Sequence, residues 1–283
     1  MSKNHGVSPG LLALVHIAKT GGTTLIHLLR RNYLFRCLDV RPLYKASNGI
    51  FSARDLKTYR RLNGSIHCIC GHSVKAYSDL ETLVPDIRYV TILRDPVSRC
   101  ISHYQQRVKK YGRLSMEEFL SREWIANFQT RAIAGVEDLA AAKQLLQQRI
   151  DIVGVVERFD ELLAMLSATV GERLSQLGYV VRRVSHDSGS KSALREEYET
   201  AIVETQALDV ELYEYVRNDL IPARRAALNE DFENALSHVR GENQSVVRVG
   251  VRPYLDYAYR KLYVIPSSSI VRMMNGLPAA GVR

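Results

Sequence analysis

The 283-residue chain has no long apolar segment. No stretch approaches the roughly 18 consecutive apolar residues of a membrane-spanning helix. The first apolar run, residues 11–17, is too short for the core of a signal peptide and leads directly into a glycine-containing turn. We therefore expect a soluble, cytoplasmic protein without a stable membrane span.

Cysteine is also scarce, because four cysteines do not supply a disulfide framework for a chain of this length. Cys68 and Cys70 share a six-residue segment with His67 and His72, which leaves a metal site as one interpretation. Structural zinc sites usually draw their ligands from two separated pairs, and no second pair follows. We expect both cysteines to be core residues on one face of a strand, and no metal to be required.

Acidic residues are outnumbered, with 30 Asp and Glu against 39 Lys and Arg and a formal net charge of +9. A positive field concentrates anionic ligands near the surface. The basic residues occur in scattered pairs rather than in one long arm, so we expect a small anionic ligand and no nucleic acid. The oligomeric state is left open.

Short apolar runs alternate with segments of helical spacing. The runs predict strands at residues 11–17, 66–70, 88–93, 151–156 and 179–184. Helices are predicted at residues 23–31, 55–62, 78–83 and 96–110, within 116–149, at 159–174 and, with a break near Pro222, within 196–239. Such alternation is typical of a three-layer α/β domain with a central parallel sheet, like that of P-loop proteins. We assign residues 1–240 to this domain and 241–283 to a C-terminal extension of unknown role.

Residues 18–24 form a glycine-containing turn between the first strand and the first helix. Such a turn directs backbone N–H groups at an anion, and the helix N-terminus adds partial positive charge. The standard P-loop ends in Gly-Lys-Ser/Thr, whereas here Gly22, Thr23 and Thr24 occupy those places and Lys19 precedes the glycines. An ATP- and Mg²⁺-dependent kinase is therefore the weaker alternative.

A second pair of anion-binding candidates follows the strand at 88–93. Arg94 comes where ligands bind in open α/β sheets, beyond the carboxyl end of a strand, and its guanidinium can hold a phosphate bidentately. Ser102 lies about two helical turns further, on roughly the same side as Ser98. The alternative is that Arg94 caps the helix and Ser102 packs inside it.

The segment His-Ile-Ala-Lys-Thr-Gly-Gly-Thr-Thr-Leu resembles the 5'-phosphosulfate loop of sulfotransferases that use 3'-phosphoadenosine 5'-phosphosulfate (PAPS). The similarity is greatest to the branch containing heparan sulfate 2-O- and 6-O-sulfotransferases. Residues 92–104 resemble that family's 3'-phosphate segment, and residues 127–131, 153–159 and 212–213 are also similar. The resemblance spans roughly residues 11–216 and implies a PAPS site formed by Lys19, Thr20, Gly21, Gly22, Thr23, Thr24, Arg94 and Ser102.

The resemblance further implies transfer of a sulfuryl group to an acceptor hydroxyl, of a carbohydrate first and of a lipid or small metabolite as alternatives. Lys19 is the candidate that neutralises the leaving phosphate oxygen. His72 is the candidate general base, because imidazole titrates near neutral pH and His72 matches the position of that family's catalytic histidine. His16 is the main alternative, and His103 and His67 are weaker ones.

Two further alternatives remain at this point. One is a noncatalytic protein that binds sulfated glycans or nucleotides. The other concerns where the protein acts. Glycosaminoglycan sulfotransferases typically carry an N-terminal membrane anchor, whereas here the anion-binding turn begins within twenty residues of Met1. We expect a bacterial-type or cytoplasmic enzyme, with an excised catalytic domain as the alternative.

Overall fold

The computed structural model describes residues 10–171, 174–179, 188–243 and 252–279. Its centre is a sheet of five parallel strands in the order β2-β3-β1-β4-β5. The strands are β1 (Leu12–Val15), β2 (Cys37–Asp39), β3 (Cys68–Gly71), β4 (Arg88–Leu93) and β5 (Ile150–Val155). Every residue of the central strand β1 is buried, as expected for a parallel sheet covered on both faces. The α/β fold class predicted from the sequence is confirmed.

Helices connect and flank these strands. They are α1 (Gly22–Tyr33), α2 (Ala53–Asn63), α3 (Pro96–Tyr111), α4 (Met116–Leu120), α5 (Phe128–Ala134), α6 (Leu139–Gln148), α7 (Phe159–Val170), α8 (Ser188–Thr205), α9 (Ala207–Tyr215), α10 (Ile221–Asn243), α11 (Arg252–Tyr259) and α12 (Ile265–Met274). A π-helical turn at Val216–Leu220 joins α9 to α10, and α10 is kinked at Asn229, whose φ of 47° is not helical. Within the described helices, none combines the length and apolarity needed to cross a bilayer.

The predicted elements agree with the structure where burial and local propensity coincide. The bounds of β4 match the prediction, whereas β1 ends at Val15, so that His16 and Ile17 belong to the following loop. The short helix predicted at residues 78–83 is only a 3₁₀ turn, Leu80–Thr82. The strand predicted at 179–184 lies outside the described residues, apart from Tyr179, which is not in a strand.

Two hydrophobic cores hold the layers together. The larger one joins both faces of the sheet to the surrounding helices. A smaller one lies among α3, α4 and α8, where Ile101, Phe119 and Ile202 are almost completely buried. Because α3 begins immediately after β4, the second core fixes a helical layer beside the carboxyl edge of the sheet.

The described residues beyond 241 add helical structure that the sequence pattern did not reveal. The helices α11 and α12 are joined by a π-helical turn at Arg260–Val264 and pack against the segments that flank β2. The hydroxyl of Tyr259 donates to Asn63 Oδ1 (3.2 Å), and Arg272 donates to the carbonyl oxygen of Pro42. Since β2 is an edge strand, these helices lie beside an otherwise open side of the sheet.

The N-terminus of α2 is held by a buried carboxylate. Asp55 is fully buried and accepts hydrogen bonds from the Leu43 N–H (2.6 Å), the Ser47 hydroxyl (2.7 Å) and both the N–H and hydroxyl of Ser52 (2.9 and 2.7 Å). Ser52 and Asp55 together form a capping box at the start of this helix. One side chain thus ties α2 to the loop that follows β2.

We expect Asp55→Ala to lower the free energy of unfolding by at least about 3 kcal/mol, because several donors lose a charged acceptor in a buried place. Urea unfolding followed by circular dichroism measures the change. The matched control is Glu118→Ala, which removes the acid of an exposed capping box at α4 and should cost less than about 1 kcal/mol. Equal losses in the two variants would contradict the role assigned to Asp55.

Candidate functional site

The loop between β1 and α1 has the backbone shape of an anion-binding turn. Lys19 and Gly21 both have positive φ, 73° and 75°. The hydroxyl of Thr20 is buried and donates to the Ile17 carbonyl oxygen (3.0 Å), which closes the turn internally. The helix α1 begins without a side-chain cap and without an acidic residue in its first turn. Its N-terminal N–H groups and partial positive charge therefore suit a bound anion.

Gly22 is required by the close approach of a histidine ring. A Cβ atom on Gly22 would lie 2.2 Å from Cδ2 and 2.4 Å from Nε2 of His16. Real side chains do not approach so closely, so the imidazole of His16 packs directly on the first residue of α1. The absence of a side chain on Gly22 thus leaves the space that the His16 ring occupies.

His72 lies against His16 at the ends of neighbouring strands. The two rings are stacked, with centroids 4.2 Å apart and an interplanar angle of 18°. Nδ1 of His72 is 2.7 Å from the His16 carbonyl oxygen. A carbonyl oxygen can only accept, so Nδ1 carries the proton, and in the neutral ring the lone pair is on Nε2. The structure brings together the two histidines between which the sequence left the choice of base.

Arg94 connects the anion-binding turn to the helical layer. Its Nη1 donates to the carbonyl oxygen of Lys19 (3.2 Å). Its backbone is held on both sides by the amide of Gln129, which accepts from the Arg94 N–H and donates to the Arg94 carbonyl oxygen, each at 2.9 Å. Two predicted anion-binding residues from distant parts of the chain therefore lie side by side.

Gln129 is in turn positioned by Asp209, a fully buried carboxylate on α9. Asp209 accepts from the N–H groups of Gln129 and Thr130 and from the Thr130 hydroxyl, each at 2.8 Å. It thereby caps the first turn of α5, whose own N-cap residue makes no side-chain hydrogen bond to the helix. Burial raises the pKa of Asp209, and the positive charge of Arg99 and the donated hydrogen bonds oppose that rise.

Arg99 is a fully buried cation in the same region. Its guanidinium carbon lies 4.5 Å from the centroid of the Phe128 ring, and Nη1 is 3.4 Å from Nδ1 of His103. Burial, together with the charges of Arg99 and other nearby cations, lowers the pKa of His103 to about 3. His103 is therefore neutral at physiological pH and too weakly basic to take a proton efficiently, which disfavours it as the general base.

Ser98 and Ser102 lie on α3 beyond Arg94, as predicted, and α8 adds a cation beside them. Nη1 of Arg195 is 3.3 Å from Oδ1 of Asp95 and 3.4 Å from the hydroxyl oxygen of Ser98. Ser102 is partly buried one turn further along α3. Arg195 belongs to no recognisable motif and is about a hundred residues from Asp95 and Ser98 in sequence. Sequence patterns therefore could not identify it.

The segments that carried the family resemblance meet at this edge of the sheet. Glu157, which follows β5, accepts from the Asp95 N–H (3.2 Å) and from the hydroxyl of Tyr213 (3.0 Å). Burial, together with the neighbouring carboxylate, raises the pKa of Tyr213. Glu157 and Tyr213 therefore act as supports that hold the start of α3.

Lys75 is a further residue that the sequence analysis did not select. Its Nζ donates to the Ala132 carbonyl oxygen (2.9 Å), and burial lowers its pKa to about 8. It lies three residues after His72 and joins the segment following β3 to α5. We assign it a positioning role for that segment.

The cysteines of β3 are core residues, as expected. Cys68 and Cys70 are fully buried, and Cys37 of β2 joins them, so that the three sulfur atoms lie within 4.8 Å of one another. His67 instead lies within hydrogen-bonding distance of Ser65 (2.9 Å). Of the four residues that suggested a metal site in the sequence, Cys68 and Cys70 therefore share one buried sulfur cluster with Cys37, whereas the two histidines make hydrogen-bond contacts elsewhere.

The sequence resemblance implies a PAPS site at this turn. On that expectation, Gly22→Ala should weaken binding of the product nucleotide 3',5'-bisphosphoadenosine by at least about tenfold, a loss of about 1.4 kcal/mol, because the added methyl group displaces the His16 ring and the start of α1. Isothermal titration calorimetry measures the affinity. Gly189→Ala is the matched control, since its Cβ would meet nothing within 4 Å and Gly189 lies in α8. Unchanged affinity in Gly22→Ala would show that this close contact has no role in the site.

Comparison with known proteins gives limited similarity. No protein-family model matches the chain, and no curated protein matches it. Among solved structures, the chain is similar to the crystal structure of a sulfotransferase from Alicyclobacillus acidocaldarius, with 16% sequence identity and a TM-score of 0.37. That alignment covers 72% of this chain and 97% of the other.

Proposed function

We propose that the protein transfers a sulfuryl group from PAPS to an acceptor hydroxyl. The observation that carries the proposal is the hydrogen bond from Arg94 to the Lys19 carbonyl oxygen, which joins two anion-binding segments 75 residues apart. A donor with anionic groups at two positions, a 5'-phosphosulfate and a 3'-phosphate, suits such a double site. A ligand with a single phosphate would use only half of it.

In this proposal the turn between β1 and α1 holds the 5'-phosphosulfate. The backbone of residues 19–23 supplies N–H donors, and the Lys19 ammonium supplies a full positive charge. The 3'-phosphate lies against Arg94 and the hydroxyl groups of Ser98 and Ser102, with Arg195 as an additional cation. Guanidinium groups suit this task because their paired donors match phosphate oxygens.

His72 acts as the general base. Its Nε2 takes the proton from the acceptor hydroxyl while the acceptor oxygen attacks sulfur, and the bond between sulfur and the 5'-phosphate oxygen breaks. The products are a sulfate ester and 3',5'-bisphosphoadenosine, and His72 later returns its proton to solvent. Lys19 and the N-terminus of α1 stabilise the negative charge that develops on the leaving phosphate. His16 is a positioning residue, since its carbonyl oxygen and ring hold His72 in place.

The acceptor class rests on the sequence resemblance, so we propose a carbohydrate hydroxyl. For the site of action we propose the cytoplasm. The kinase alternative requires a lysine at the position of Thr23 and is weaker for that reason. A purely binding protein would have no need for a histidine whose tautomer is set by a 2.7 Å contact at the end of a strand.

We expect 3',5'-bisphosphoadenosine at about one hundred times its dissociation constant to stabilise the protein by about 2.7 kcal/mol, a rise in melting temperature of roughly 5 °C or more. ATP with Mg²⁺ should give a much smaller shift. Differential scanning fluorimetry measures both. A shift with ATP and Mg²⁺ but none with 3',5'-bisphosphoadenosine would overturn the proposal.

A second binding experiment tests whether Arg94 holds the 3'-phosphate. Arg94→Ala should weaken 3',5'-bisphosphoadenosine binding by about 10- to 100-fold, the effect of losing a hydrogen bond to a charged group, and leave AMP binding nearly unchanged. Arg88→Ala is the matched control, because Arg88 is an exposed arginine at the opposite end of the same strand. Equal losses for both nucleotides in Arg94→Ala would contradict its role.

We expect His72→Ala to lower the rate of sulfuryl transfer by about 10² to 10⁴ while nucleotide affinity is retained, since a positioned base contributes this much. Transfer of labelled sulfate from PAPS to a panel of desulfated polysaccharides measures the rate. His16→Ala should lose less, because the main-chain carbonyl that orients His72 remains, and the exposed His238→Ala serves as control. A larger loss in His16→Ala than in His72→Ala would reverse the two roles.

A further inference from the structure

The helices α11 and α12 expose an unusual number of large apolar side chains. Leu262 and Met274 are 80% and 82% exposed, and Tyr254 is 67% exposed. Of the thirteen large apolar side chains that are exposed in the described part of the chain, eight lie in this short region. They are Tyr254, Leu255, Tyr257, Leu262, Tyr263, Ile270, Met273 and Met274. Clusters of this kind mark interaction surfaces, whereas isolated exposed apolar residues do not.

The two helices and the π-helical turn form one amphipathic unit, which we call the C-terminal helix (residues 252–274). Asp256, Val264 and Ser268 are buried against the domain. Leu255, Leu262 and Met274 point outward. At 1.5 Å per residue the unit is roughly 34 Å long. Its exposed apolar residues are spread along this length, and we call them the apolar stripe.

Two segments that pack together carry the net positive charge of the protein. Residues 252–279 contain four Lys and Arg against one acidic residue, and residues 30–63 contain nine against two. These segments have net charges of +3 and +7, so the rest of the chain has a net charge of −1. The two segments pack together, since Phe35 contacts the Tyr259 ring and Tyr263 donates to the Leu62 carbonyl oxygen (2.7 Å).

The charge decides between two occupants of this surface. A symmetric dimer would place the same patch of both copies face to face and bring like charges together, which is unfavourable. An anionic bilayer suits both the exposed apolar side chains and the positive charge. The apolar side chains enter the acyl boundary, while Lys and Arg contact the headgroups. The exposed cations Arg36, Lys45 and Arg61 lie in the segment on which the helix packs.

We propose that the C-terminal helix docks the protein peripherally on an anionic phospholipid bilayer. The helix lies in the plane of the interface, with its outward apolar side chains inserted and the basic residues of segment 30–63 beside the headgroups. The proposal is independent of the chemistry assigned to His72 and Lys19.

Flotation of the full chain with phospholipid vesicles tests the proposal. We expect the partition coefficient to be at least about tenfold higher for vesicles of phosphatidylcholine mixed with phosphatidylglycerol than for phosphatidylcholine alone, and to fall as salt is added. The combined variant Leu255→Ser, Leu262→Ser and Met274→Ser should lose at least about tenfold in binding to the mixed vesicles. Because these side chains are exposed, circular dichroism and melting temperature should stay close to those of the original chain.

Two further variants separate apolar from electrostatic contributions. Val136→Ser removes an exposed apolar residue, 57% exposed, away from the C-terminal helix and should leave vesicle binding unchanged. The combined variant Arg36→Glu, Lys45→Glu and Arg61→Glu should reduce binding to mixed vesicles by at least about tenfold. Equal binding to both vesicle types, or full binding by the apolar variant, would overturn the proposal. So would a dimer in light scattering that the apolar variant converts to a monomer.

Discussion

The buried carboxylate of Asp209 is the interaction on which the candidate site depends. It caps α5 through the N–H groups of Gln129 and Thr130, and the Gln129 amide then holds the backbone of Arg94. Arg94 reaches the carbonyl oxygen of Lys19. Each step is a hydrogen bond with little freedom, so a side chain on α9 sets the distance between two anion-binding segments that belong to other elements.

Burying Asp209 and Arg99 is costly, because both charges leave water. The cost is offset in part by their mutual attraction, by the hydrogen bonds that Asp209 accepts and by the contact of Arg99 with Phe128. The same arrangement suppresses protonation of His103. Charge near the site is thereby held in fixed places before a ligand binds, which is the condition under which electrostatic stabilisation of a developing anion is most effective.

Local features of the sequence predicted the local features of the structure. The bounds of β4 were predicted from its own run of β-formers, and the Ser52–Asp55 capping box likewise depends only on residues close together in sequence. The three-residue β2 is too short to give a periodic pattern. The contacts made by Gln129 and Arg195 depend on how distant helices pack, which no spacing in the chain expresses. The stacking of His16 on His72 also required the strand order, because β1 and β3 are neighbours in the sheet but not in sequence.

The C-terminal helix lies beside the edge strand β2, and its last turn is near the carboxyl end of that strand. Arg272 contacts Pro42 in the loop after β2, and the preceding Val40 accepts from the Ser73 hydroxyl (3.3 Å), next to His72. Docking through this helix would bring the β2 side of the sheet to the bilayer, and the contacts from Arg272 to the segment beside His72 connect that side with the candidate site. A dissolved acceptor gains nothing from that placement, whereas an acceptor anchored in lipid is confined to the same surface and meets the site at a higher effective concentration. Taken together, the two proposals make a lipid-linked hydroxyl, including one on a lipid-linked carbohydrate, an acceptor to test beside soluble polysaccharides.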